Sequence, residues 1–201
     1  NRALVAFSQS QIVSSVGSGS LVSASLQLYI ESNGNNWGTT GRPVDAFRIT
    51  APWTEAGVTW NCGIDTNPSN SSADCSPTWN GGSYASLPTA TLQHTNGLTG
   101  WISFDVTSDV SSFLSGTSNY GWIIRKTSEN QSGKADYSSK ETSSGNAPRL
   151  VLTVESAPED IVPPQLTITS PSNPPYLFDD PTITLSYSDQ GTGVDLTSLQ
   201  V

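Results

Sequence analysis

The chain has no methionine, one histidine and two cysteines, and only 12% of its residues are charged, about half the usual share. Each shortage closes off a class of function. There is no run of about 18 apolar residues, so no helix is expected to insert into a membrane. Two thiols and a distant His94 fall short of a closed zinc site. Lys and Arg are scarce and dispersed, and none follows Arg149, so nucleic acid is not an expected partner. His94 has no Gly-x-Ser-x-Gly elbow to work with, and the surrounding Leu92-Gln93-His94-Thr95-Asn96-Gly97 reads as a strand entering a turn. No catalytic residue is assigned, and an enzyme is not expected. The chain lacks an initiator methionine and a signal peptide, so it is expected to begin inside a longer precursor.

What remains is a polar, uncharged chain rich in Ser, Thr, Asn and Gly, with six tryptophans and enough Val, Ile and Leu to offset the entropy of ordering. Cys62 and Cys75 stand thirteen positions apart with no competing cysteine, which points to a disulfide and an oxidising compartment. Period-two alternation recurs in short bursts, as in Ala3-Leu4-Val5-Ala6-Phe7, Ser25 to Ile30, Val44 to Ile49 and Trp101-Ile102-Ser103-Phe104-Asp105-Val106. Further strands are expected at Ala90 to Gln93, Tyr120 to Lys126, Lys134 to Tyr137 and Arg149 to Glu155, between turn-forming clusters. One short helix is expected over Ser108 to Ser115, where Val110, Phe113 and Leu114 fall at helical spacing behind Thr107 or Ser108 as N-cap. The fold class is all-β, a β-sandwich or jelly roll.

Charge and proline divide the chain. Residues 1–155 hold eleven acids against eight bases, whereas the last 46 residues hold six acids and no base. A first domain over 1–156 is expected, then a proline-rich linker over 157–164, because proline cannot donate to a sheet ladder. Residues 165–201 hold two strand-like runs around the proline-rich Ser170 to Pro175 and look like the start of an immunoglobulin-like repeat of bacterial surface proteins, or a strand-donating tail. Such a tail would pair with its own chain, with the rest of its parent protein or with another copy.

Several separated signatures resemble the DNRLRE domain family: Asn1 to Phe7, Ser23-Ala24 leading into Leu26 and Leu28, and Trp53-Thr54-Glu55 with Val58-Thr59-Trp60. Trp101 to Thr107, Asn119-Tyr120-Gly121, Ser138-Ser139-Lys140-Glu141 and Pro148-Arg149-Leu150 complete the set. The resemblance covers residues 1 to about 155 and implies a non-catalytic extracellular jelly-roll module, grouped with carbohydrate-binding modules, of which some members bind polysaccharides such as alginate. Family members begin further upstream, with strands ahead of the position of Asn1. That implies an open edge here, to be filled by residues 160–201 or by a neighbouring chain, and head-to-tail filaments by strand exchange are the alternative to sugar binding.

The resemblance places Trp53, Trp60 and Trp101 in shared motifs, which implies packing roles in the core, with Glu55 capping a turn or pairing with Arg48; the other reading sets the Trp53 and Trp60 indoles against a sugar face, with Glu55 accepting from its hydroxyls. Trp37 and Trp79 sit instead in loops where no strand pattern requires burial, so these indoles, with Tyr84, are the expected sugar-stacking faces; Trp79 covering the disulfide is the other reading. For an acidic polysaccharide the available cations are Arg125, Lys126, Lys134 and Lys140. A structural calcium ion is expected from the oxygens of Asp65, Asn67 and Asp74, and a second site from Asp179, Asp180, Asp189 and Asp195. Asn70-Ser71-Ser72 and Asn130-Gln131-Ser132 are glycan acceptor patterns.

Overall fold

The computed structural model describes residues 2–72, 74–157, 164–170 and 182–189. The chain divides into two compact units, Asn1–Ser156 and Ala157–Val201.

The first unit is an all-β sandwich of antiparallel sheets with two short helices. Its elements are β1 (Ala3–Val5), α1 (Gln9–Val16), β2 (Ser20–Asn33), β3 (Arg42–Arg48), β4 (Ala90–His94), β5 (Gly100–Asp105), α2 (Thr107–Leu114), β6 (Trp122–Lys126), β7 (Ala135–Tyr137) and β8 (Arg149–Glu155). One sheet runs β1-β6-β3-β4. In the other, β5 pairs one side of β2, while β8 pairs Ser20–Gln27 and β7 pairs Ile30–Asn33 on its other side. The alternation fixes the facing: Leu26, Leu28 and Ile30 of β2 and Ile102 and Phe104 of β5 point inward to meet Val44, Ala46, Trp122 and Ile124 of the opposite sheet.

The first sheet is also covered on its outer face. The connection between β3 and β4, cross-linked within itself by the Cys62–Cys75 disulfide, supplies the cover: Trp79 packs with Phe47, Ile49 and Ile123, flanked by Trp53, Val58, Tyr84 and Tyr120. Both faces of β3 are therefore buried, including Asp45, whose carboxylate accepts from Thr91 Oγ1 (2.6 Å) and Thr127 Oγ1 (2.7 Å).

Helix α2 lies where the sequence predicts it, starting one residue earlier. Thr107 Oγ1 bonds Asp105 Oδ1 at 2.6 Å rather than capping the helix, and Val106 occupies the N-cap position. The expectation of a single helix is corrected by α1, whose serine-rich run anchors to the core through Ile12 alone. Gly17 ends it at φ 57°, a left-handed conformation natural to glycine.

The second unit contains the antiparallel pair β9 (Gln165–Ser170) and β10 (Thr184–Ser188). Leu166 and Ile168 face the same side as Tyr187 and Leu185, their cross-strand partners, and Leu166, Ile168 and Tyr187 are exposed. A two-strand pair is common to many folds and carries the immunoglobulin-like expectation no further. The proline-rich stretch after Ser170 and the residues beyond Asp189, including Asp195, lie outside the described residues, as do Asp179 and Asp180.

Candidate functional site

A groove opens in the first unit beside the edge strand β1. One depression of about 720 Å³ is lined by Arg2–Phe7, by Trp53, Glu55 and Val58, by Tyr120 and by the segment Tyr137–Lys140, and core residues Leu28 and Ile124 form part of its lining. A second, of about 500 Å³, shares Arg2, Ala3, Ile124 and Tyr137 with it and adds Arg125, Lys126, Lys134 and Asp136. Both volumes are within the range of small-ligand pockets. Asn119 and Gly121 hold β1 in place. Asn119 Nδ2 donates to the Phe7 carbonyl at 3.0 Å, and at Gly121 (φ 77°) a Cβ would stand 2.1 Å from the Val5 carbonyl oxygen, so only glycine lets β1 pass.

Arg2 and Lys140 line the first depression, with the acid Glu55, and Arg2, Arg125, Lys126 and Lys134 line the second, with Asp136, so five of the chain's eight basic side chains stand along the two. Arg2 grips Glu129 with two bonds, Nε to Oε1 at 2.8 Å and Nη2 to Oε2 at 2.6 Å, and lies over the Trp60 ring at 4.6 Å. Arg125 shares the same carboxylate at 3.2 Å and donates to the Tyr84 hydroxyl. The hydrogen bonds from Arg2 hold the Glu129 carboxyl below its ordinary range, and Glu129 in turn raises Arg2. The lysines are held more loosely. Lys126 Nζ donates to the Gln131 carbonyl and forms no ion pair among the described residues. Lys134 pairs with Asp136 at 3.1 Å, with the lysine side chain 64% exposed, and Lys140 reaches Glu55 at 3.3 Å across the groove. Exposed pairs of this kind contribute about 0–1 kcal/mol each, so an incoming carboxylate can displace them.

Of the four cations singled out in the sequence, Arg125, Lys126 and Lys134 line the second depression and Lys140 the first, and Arg2 lines both. The aromatic expectations are reversed. Trp37 is 2% exposed and Trp79 8%, so both indoles are buried, Trp37 forming part of the wall of the second depression. Trp37 donates from Nε1 to Asn33 Oδ1 at 3.0 Å, and its ring lies 5.2 Å from that of His94. Trp79 donates from Nε1 to the Thr59 carbonyl at 2.8 Å. Tyr84 is half-buried behind the cations, packed on Phe47 at 5.0 Å. Conversely Trp60 is 54% exposed and Trp101 38%, where core positions were expected, while Trp53 is half-buried and donates to the Tyr120 carbonyl at 2.8 Å. Glu55 pairs with Lys140, and Arg48 pairs instead with the buried Asp109 at 3.5 Å.

The oxygens proposed for calcium serve their own loop. Asp65 Oδ1 accepts the Asn67 backbone N–H at 3.0 Å, Asn67 Oδ1 accepts from Ser69 N at 3.3 Å, and Asp74 Oδ2 accepts from Asn70 Nδ2 at 3.0 Å. Among the described residues no group of three or more His, Cys, Asp or Glu side chains is placed to hold a metal ion.

Residues 1–154 match the family model of carbohydrate-binding module family 96. The chain belongs to this family. Among curated proteins none matches the chain. Among the described residues of this family 96 module, no helix is long and apolar enough to cross a membrane.

Proposed function

We propose that the chain is a non-catalytic extracellular module that anchors a larger protein to an acidic polysaccharide, with the groove beside β1 as the glycan site. The observation that carries this reading is the collection of five of eight basic side chains along the two depressions of the groove, in a chain whose net charge is −9. A polyuronate presents carboxylates at intervals along a chain, and Lys126, Lys134 and Lys140 would meet them as point charges while Arg2 and Arg125, tied to Glu129, form a fixed positive wall. The disulfide supports an oxidising, extracellular setting.

Affinity electrophoresis tests the reading. Migration is expected to be retarded in gels containing alginate or polygalacturonate but not in gels containing hydroxyethyl cellulose, and the retardation is expected to weaken as salt rises. Replacing both Lys126 and Lys134 by Gln should reduce affinity about tenfold, the loss expected for charge-assisted contacts. Salt-independent retardation, or retardation equal in the neutral gel, would sink the acidic-glycan assignment.

A second reading, head-to-tail assembly by strand exchange, is favoured by β1 standing at the edge of its sheet and by the exposed apolar side of β9–β10.

A further inference from the structure

The outer face of the second sheet carries a cluster that the groove does not use. Because Leu26, Leu28 and Ile30 point inward, Gln27 and Tyr29 of β2 point out, and the register sets Trp101 opposite Tyr29, with Ser103 and Arg149 on either side of Gln27. Tyr29 meets the Trp101 indole edge-on, ring centroids 5.3 Å apart at 78°. The Arg149 guanidinium lies 4.2 Å from the Trp101 ring centroid and donates from Nη2 to the Gly145 carbonyl at 2.7 Å. Even with these neighbours Trp101 remains 38% exposed.

Two features indicate a ligand rather than surface packing alone. Among the described residues Arg149 forms no ion pair, unlike Arg2, Arg48 and Arg125, and most of its five N–H donors stay available after the bond to Gly145. The Gln27 amide likewise makes no hydrogen bond to the protein among the described residues. A partly exposed indole with the Arg149 guanidinium over one face, that guanidinium without a carboxylate and a free amide therefore stand together on three adjacent strands, where backbone pairing fixes their spacing.

We propose that this platform is a second glycan subsite, separate from the groove, which takes a uronate ring of a polysaccharide chain: C–H groups of the ring against the part of Trp101 that Arg149 leaves exposed, its carboxylate on Arg149 and a hydroxyl on Gln27. The inference rests on the reading of the chain as a polyuronate-binding module. Two subsites on one module raise the avidity for a long chain above that for a short oligomer, provided the polymer reaches both.

The test is calorimetric titration of the full chain with alginate and polygalacturonate, comparing wild type with Trp101→Ala, Trp101→Phe, Arg149→Gln and Gln27→Ala, each checked for an unchanged thermal midpoint. Trp101→Ala should weaken polymer binding at least about tenfold, as for an aromatic anchor, with Trp101→Phe restoring most of it. Arg149→Gln and Gln27→Ala remove no core contact and should each weaken binding too, which keeps the test decisive should Trp101→Ala fold poorly. The losses should add to those of the Lys126→Gln, Lys134→Gln double variant, as expected of separate sites. Wild-type binding that all four platform variants retain would overturn the platform and leave the groove standing. A wild type that binds neither polymer would overturn both.

Discussion

At the scale of single residues, charge is organised around Glu129, which accepts from both Arg2 and Arg125 and so ties β1 to the end of β6. Its carboxyl is held below the ordinary 4.5 by the Arg2 hydrogen bonds. A carboxyl lowered in the folded state contributes stability that is present above its unfolded pKa and is lost as pH falls through the folded value. Glu129→Gln is therefore expected to be less stable than wild type at neutral pH, with the gap closing as the solution is acidified below 4.5. Chemical denaturation at a series of pH values measures this, and a gap that stays constant into acid would mean the pairing contributes nothing through charge. Residue-level reading of the sequence was weakest for tryptophan. The parity of Trp101 was available, since Ile102, Phe104 and Val106 claim the inner face and leave Trp101 with the polar Ser103 and Asp105. Trp37 gave no such signal, because its burial depends on Asn33, Asn96 and Gly133, which converge only in three dimensions. At Gly133 a Cβ would stand 2.6 Å from the indole.

At the scale of elements, the strands were legible because each central strand shows its inner face as a period of two, and every expected strand of the first unit is present. Helix α1 was not, since Ile12 is its one buried side chain and a single apolar anchor establishes no period. The disulfide loop was legible as a covalent link but not as a layer. Just past its second cysteine, Trp79 packs against Phe47, Ile49 and Ile123 and so buries the face of the first sheet that would otherwise meet solvent. Bridges from Cys62 to Thr78 and from Asp65 to Cys75 join the loop to itself on both sides of the disulfide. Replacing Cys62 and Cys75 together by Ala should cost about 3 kcal/mol, the loop-closure entropy for a link of this span. The expected readout is a lower denaturant midpoint, with a steeper slope because the unfolded chain without the cross-link exposes more surface. An unchanged midpoint would show that the indole packing alone holds the loop on the sheet.

At the scale of the whole molecule, the charge is divided: the first unit gathers its cations into a groove, while residues 157–201 carry six acids and no base. This division bears on both functional readings, because the same positive groove that would take a polyuronate is complementary to the acidic segment of another copy, whose β9–β10 pair exposes Leu166, Ile168 and Tyr187. Competition separates the two. Light scattering over a range of concentrations is expected to give the mass of a single chain throughout, with complexes forming only when alginate or polygalacturonate is added. If copies instead joined head to tail through the groove and the β1 edge, the mass would rise with concentration, and a short oligouronate too small to bridge two modules would disperse the polymers by occupying the groove. Polymers indifferent to the oligouronate would place assembly elsewhere on the surface and leave the groove to the glycan.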